Sequence, residues 1–167
     1  VSENREGIGS MTWSPDGRWL AYVMSAPNTF QQLKIYSVES GRSAALTSDR
    51  TNSYSPAWDP KGEYIYFLSD RALRTLVGAP WGNLQPEPYF DKEVEIYQVA
   101  LRGGLRSPFL PDDELNRSAP APASIADSAA ALQPPPPTLV RIDLDGLPLR
   151  LRRIPAPSGN YGWLATN

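Results

Sequence analysis

The chain has 167 residues, of which 41% are hydrophobic and 20% charged, with a formal net charge of -2. That length can bury one compact core, and that balance gives no basic excess to draw in nucleic acid. No run of about 18 apolar residues occurs, so no membrane span is indicated, and the absence of cysteine and histidine removes disulfides, thiol chemistry, the commonest general base and the commonest metal ligand.

The first residues, VSENREG, carry no initiator methionine and read as the opening of a segment cut from a longer protein, so the lack of a leader sequence is uninformative. The first strong pattern is TWSPDGRWLAYV at 12–23. It returns as AWDPKGEYIYFL at 57–68, with Trp13 and Trp58 45 residues apart. Such self-similarity points to a repeat architecture. In each copy a proline sets the first corner of a turn, Pro15 or Pro60. A glycine, Gly17 or Gly62, takes the left-handed conformation that closes it. Each motif therefore predicts a hairpin with one strand ending at the tryptophan and the next starting two residues past the glycine. Both faces of that second strand are apolar or aromatic, as in a strand covered on two sides.

A third strand is predicted at 33–38 (LKIYSV) and again at 94–99 (VEIYQV), and a short fourth at 43–47 and 105–110. Four antiparallel strands in about 45 residues is the pattern of a β-propeller blade. The expected fold class is thus all-β, with one blade at about 10–47 and another at about 54–110. Two blades cannot close a ring, so an incomplete propeller fragment is expected over 1–117. Ile35 and Ile96 align 61 residues apart, which gives the second blade 16 extra residues between its second and third strands. This insertion, 70–93, falls on one rim. It holds Trp81, Tyr89 and Phe90 with prolines between them, and reads either as a loop that narrows a channel or docks on a neighbour, or as one that covers its own blade edge. Arg71, Arg74, Trp81, Gln85, Tyr89 and Phe90 are its candidate rim residues.

Residues 118–137 are almost entirely Ala, Pro and Ser and read as a flexible linker, with a Pro-rich partner ligand as the minor alternative. Strand character resumes at 138–157, where Val140, Ile142 and Leu144, then Leu147, Leu149 and Leu151, alternate around an Asp145–Gly146 turn. A second propeller or sheet domain is expected to start there, over 138–167. No residue is defensible as catalytic. Asp143 and Asp145 suggest a cation site less than solvated turn chemistry, and the cluster Asp112, Asp113 and Glu114 suggests capping or solvation. No nucleophile motif or phosphate-loop spacing is present. Expected catalytic, cofactor and metal residues are accordingly none. Trp13, Pro15, Gly17, Trp58, Pro60 and Gly62 form the structural motif of the blades.

Residues 67–109, above all 76–92, resemble the end of the six-bladed propeller of tricorn proteases. The segment 141–164, RIDLDGLPLRLRRIPAPSGNYGWL, is similar to the stretch that leads into that family's seven-bladed propeller. The resemblance implies a large serine peptidase as parent, with its nucleophile, its histidine and a PDZ-like domain encoded downstream. On that reading this segment is a non-catalytic filter and docking surface and has no peptidase activity of its own. The implied partners are peptide substrates and the remaining blades of the same chain, with no nucleic acid and no membrane span. The parent is expected to be a homo-oligomer, cytoplasmic, with the periplasm as the other choice. The alternatives are a TolB-like interaction propeller without enzyme activity and the lid propeller of a prolyl-oligopeptidase relative.

Overall fold

The computed structural model describes residues 7–72, 92–111, 113 and 139–166. They form two four-stranded antiparallel sheets stacked face to face, each with its strands in chain order. The first contains β1 (Ile8–Trp13), β2 (Trp19–Ser25), β3 (Gln31–Ser37) and β4 (Ser43–Ala45). The second contains β5 (Ser53–Trp58), β6 (Tyr64–Ser69), β7 (Glu95–Ala100) and β8 (Leu151–Arg153). The all-β, propeller-blade architecture read from the repeat is therefore the one observed.

The repeated motif folds the same way twice. Gly17 N–H donates to Ser14 O and Gly62 N–H to Asp59 O, at 2.9 and 2.8 Å. Ser14 N–H reaches Trp19 O and Asp59 N–H reaches Tyr64 O, both at 2.9 Å. The glycines sit at φ +69° and +66°, where a side chain is strained. Even the bulge recurs: β1 slips at Ser10 and β5 at Ser55, 45 residues on, both at positive φ. A bulge of this kind bends the strand and re-aims one side chain. Ser55 uses it to accept a hydrogen bond from Leu164 N–H at 2.8 Å.

Alternation along each strand assigns the faces. Ala21, Val23, Leu33 and Ile35 of the first sheet turn toward the second and meet Trp58, Ile65, Phe67, Tyr97 and Val99, and these make one buried cluster. The indole of Trp58 crosses the gap and donates to Thr12 O of β1 at 3.1 Å.

Pairing register corrects the size of the insertion. Ala21 pairs with Ile35, and Tyr66, which is 45 residues beyond Ala21, pairs with Gln98. The third strands are thus offset by 63 residues, 98 minus 35, and the insertion is 18 residues, 63 minus 45. Aligning Ile35 with Ile96 gave 16 because similar side chains recur every second residue in both strands, so composition tolerates a slip of two.

The fourth strand of the second sheet is also not where the sequence placed it. Residues 105–110 turn instead, with Leu110 N–H on Ser107 O and Phe109 N–H on Ser107 Oγ. Pro108 has no N–H for a ladder, and a serine side chain that caps the backbone competes with pairing. Phe109 folds back edge-on to Tyr66, 6.1 Å between ring centres. The strand comes from beyond 118–137, as β8, with Val99 opposite Leu151 and Tyr97 opposite Arg153. Of the strand character expected over 138–157, residues 139–150 show none. Residues 139–144 are irregular, and a 3-10 helix, Leu147–Arg150, follows Gly146 at φ +69° with Pro148 in its first turn. Proline starts a helix readily and cannot donate to a sheet, which outweighs the leucine alternation. The Arg150 guanidinium then gathers the carbonyls of Ala100, Asp143 and Asp145 and so fixes the approach to β8.

Val140 ties the two repeated turns together. Its N–H donates to Asp16 Oδ2 at 2.8 Å, and its side chain lies over Gly62. Burial alone would raise the Asp16 carboxyl. Hydrogen bonds from Ser14 and from the Val140 and Arg18 amides outweigh it and hold the group below its ordinary value of 3.8. A depressed carboxyl contributes stability that is full above the unfolded value and is lost as pH falls through the folded one. Asp16→Asn is therefore expected to cost about 0.5 kcal/mol near neutrality, a small figure because solvent screens this half-exposed group. The gap to the parent sequence is expected to close below a pH of about 3.8. Urea denaturation of both chains across that range measures it, and a gap independent of pH refutes the assignment.

Candidate functional site

The rim insertion leaves the second sheet after Ser69 and rejoins it at Glu95, and both stems are anchored. On the outgoing stem the Arg71 guanidinium donates to Ser69 Oγ at 3.0 Å and Ser53 Oγ at 3.1 Å. It also lies over the rings of Tyr97 and Phe67, 4.5 and 5.5 Å from their centres. Burial lowers its proton affinity, partly opposed by Tyr97 and Asp70. A planar cation that is only weakly hydrated suits such a stacked position better than lysine would. Next to it, Asn52 joins the blades. Its Oδ1 accepts from Gln31 N–H of β3, and its Nδ2 donates to Asp70 Oδ2 at 2.7 Å. On the return stem Val94 pairs with Gly159 through both main-chain bonds, and Lys92 N–H donates to Asn160 Oδ1.

Between the stems lies Glu95, 2% exposed. Both carboxylate oxygens have partners: the Tyr97 hydroxyl donates at 2.8 Å and Arg153 Nη1 at 2.7 Å. A buried carboxylate is tolerable only when paired in this way. Burial, then the bond to Glu95, pushes the Tyr97 phenol up to about 12. Tyr97 therefore stays a proton donor to Glu95 throughout the physiological range. Asp70, Arg71 and Glu95 at the base of the insertion are thus committed to its own platform. The arrangement can hold a rim in place. Among the described residues no group of three or more His, Cys, Asp or Glu comes together to hold a metal ion.

Of the rim residues read from the sequence, Arg71 is described and is the stem anchor. Arg74, Trp81, Gln85, Tyr89 and Phe90 lie outside the described residues, as does the linker 118–137. Asp143 Oδ2 accepts the Gly103 N–H at 2.9 Å, which is turn chemistry. Trp58 stands at the join between the sheets and Gly62 lies under Val140, while Pro60 is an exposed turn residue; Trp13, in the place of Trp58 in the first copy, is 57% exposed. Glu95, Tyr97 and Asn52 were not singled out in the sequence. Glu95 had a signal, a charge inside the apolar strand VEIYQV two residues before a tyrosine on the same face. Arg153 had none, because its pairing depends on where β8 docks.

The whole chain, residues 1–167, matches the family described as Tricorn protease second beta propeller domain. The chain belongs to that family. Relatives of this tricorn propeller include a protein of Sulfurisphaera tokodaii named as a tricorn-like protease C-terminal subunit, 39% identical over 61% of the chain and 11% of that protein. A tricorn protease homolog of Saccharolobus solfataricus is 33% identical over 62% of the chain and 9% of its own length. The crystal structure of the tricorn protease superposes on 99% of the chain with a TM-score of 0.70 at 21% identity, using 15% of that structure. The fold is therefore that of tricorn propeller blades, and the chain spans about a tenth of the curated relatives it matches.

Proposed function

We propose that this tricorn propeller segment is the non-catalytic part of a serine peptidase that degrades peptides, where it filters and docks rather than cuts. The observation that carries the reading is the match of the whole chain to a propeller family whose relatives are named as proteases. The geometry supports it in two ways. The described sheets are stacked blades in which Arg71, Glu95 and Arg153 hold neighbouring strands together. The one large insertion sits on a rim whose stems are fixed by Arg71, Asn52 and the Val94–Gly159 bridge. A rigid scaffold with a loop on its rim is the usual platform for recognition. The mechanism is steric selection, in which an extended peptide passes and a folded chain does not. Arg74, Trp81, Gln85, Tyr89 and Phe90 would shape the mouth or dock on the catalytic part, with Arg71 as the anchor of their stem.

The test uses the full-length parent protein with and without residues 73–91. Hydrolysis of a dipeptide-sized fluorogenic substrate is expected to be unchanged by the deletion. Hydrolysis of an unfolded polypeptide is expected to change about tenfold, the effect of one lost docking interaction of ordinary strength. Equal rates on both substrates for both proteins, or a parent without serine-dependent turnover, would refute the filter.

A further inference from the structure

We infer that the far face of the second sheet holds a binding site for an N-acylated α-amino acid, the chemistry of a peptide's C-terminal residue, with the ligand carboxylate on Arg152 and its amide N–H on Gln98. The site lies away from the stems of the rim insertion and does not rest on the filter reading.

Gln98 is the starting point. Alternation along β7 sends Tyr97 and Val99 into the core between the sheets and Gln98 to the opposite face, between Tyr66 of β6 and Arg152 of β8. There it is 2% exposed, and its Oε1 is buried without a hydrogen-bond partner. A buried acceptor of this kind has given up its water without a replacement, and such groups are few in folded proteins. A leucine would fill the same space without that loss. An amide at this position makes sense if a donor arrives from outside the sheet.

There is room for that donor. Gln98 lines a cavity of about 240 Å³. One water takes about 30 Å³ of liquid volume, so the cavity accepts a molecule several times larger. Its walls are tied down. On one side the Tyr64 hydroxyl donates to Arg106 O and holds the turn after β7 over the sheet. On the other, Arg150 donates to Ala100 O at 2.9 Å and holds the 3-10 helix against β7.

Arg152 lines the same cavity and stands directly across from Gln98 in the ladder, so the two side chains start about 5 Å apart. The other cations at the cavity are engaged, Arg102 by Glu63 and Arg150 by main-chain carbonyls. The Arg152 side chain has no ion pair or hydrogen bond among the described residues. A free guanidinium beside an orphaned acceptor selects a ligand with an anionic group and an N–H donor close together. A carboxylate and a nitrogen on one carbon have that spacing. Acylation of the nitrogen follows from charge. An ammonium group would enter a cavity lined by Arg102, Arg150 and Arg152, whereas an amide N–H is neutral. Leu105 and Leu149 also line the cavity, and Leu149 is 90% exposed, which offers the ligand's side chain an apolar seat.

The experiment is saturation-transfer NMR on the full-length parent protein, with N-acetyl-L-alanine as the probe and its Kd read by titration. Binding is expected. N-acetyl-L-proline has the same carboxylate and no N–H, and is expected to bind about fivefold more weakly, the effect of one ordinary hydrogen bond. Free L-alanine is also expected to bind more weakly. Gln98→Leu is expected to abolish the preference between the two acetylated probes. Arg152→Gln changes an exposed side chain and is expected to weaken both about tenfold, as loss of a charge-assisted bond does. No binding to the parent, because water or another part of the protein fills the cavity, overturns the inference. Binding that neither substitution alters places the probe elsewhere and overturns it equally. A preference that survives Gln98→Leu, or L-alanine bound as tightly as its acetylated form, does the same. Peptidase activity is not read, so an inactive parent that still distinguishes the acetylated probes refutes the filter and leaves this site standing.

Discussion

Gly62→Ala is expected to destabilise the 167-residue chain by about 3 kcal/mol, and Gly17→Ala by only about 1 kcal/mol. The two glycines occupy the same place in the same turn, at φ +66° and +69°. Each substitution forces an L side chain into the left-handed region, which sets the shared cost of roughly 1 kcal/mol. The difference is the neighbour. A Cβ on Gly62 would lie 2.5 Å from Val140 Cγ2, whereas a Cβ on Gly17 meets nothing within 4 Å. The Val140 backbone is pinned by its bond to Asp16, so it does not simply step aside. Overpacking of that kind costs about 1–3 kcal/mol more. Guanidinium denaturation followed by circular dichroism measures both. Equal losses would show that Val140 does not sit on the second turn.

Trp58→Ala is expected to cost about 4 kcal/mol, and Trp13→Ala less than about 1 kcal/mol. Trp58 fills the space between the sheets at 5% exposure, and its removal leaves a cavity and strips the indole donor from Thr12 O. Trp58→Phe restores most of the volume and should recover all but about 1 kcal/mol, the net worth of the hydrogen bond. Trp13 has the same sequence context but more than half of its surface in water. The same denaturation series decides it. A Trp13→Ala loss as large as that of Trp58→Ala would mean that the first sheet's far face is covered within this chain. Both experiments put identical substitutions into the two copies of one motif, so each copy is the control for the other.

Local patterns were legible to the extent that they were closed over short distances. The hairpins, their turn glycines and the strand that starts two residues after each glycine follow from proline and glycine backbone preferences and period-2 alternation, which act within a dozen residues. The reach of β3 and β7 was legible for the same reason. Where two readings of similar local merit competed, the sequence chose badly. LRSPFL has the composition of a strand, yet Pro108 and the Ser107 cap turn it. LPLRLRR alternates, yet Pro148 starts a 3-10 turn before β8. The candidate site was less legible still. Arg71 was named as a rim cation, but its stacking on Tyr97 and Phe67 depends on a strand that arrives after the insertion. Glu95 becomes intelligible only once Arg153 lies across from Tyr97.

The sequence by itself determined that the chain is built from two copies of a blade hairpin, that an insertion interrupts the second, and that neither histidine nor cysteine chemistry is available to it. Only the tertiary structure decided which segment closes the second sheet, that the insertion is 18 residues by register, and which of two equivalent tryptophans is buried. The division has a physical cause. Turns and alternation are set by the backbone preferences of neighbouring residues. An edge strand, a register and a buried indole are set by the surface each meets, and that surface is contributed by residues some 40 to 60 positions away in the chain, such as Thr12 for Trp58 and Arg153 for Glu95.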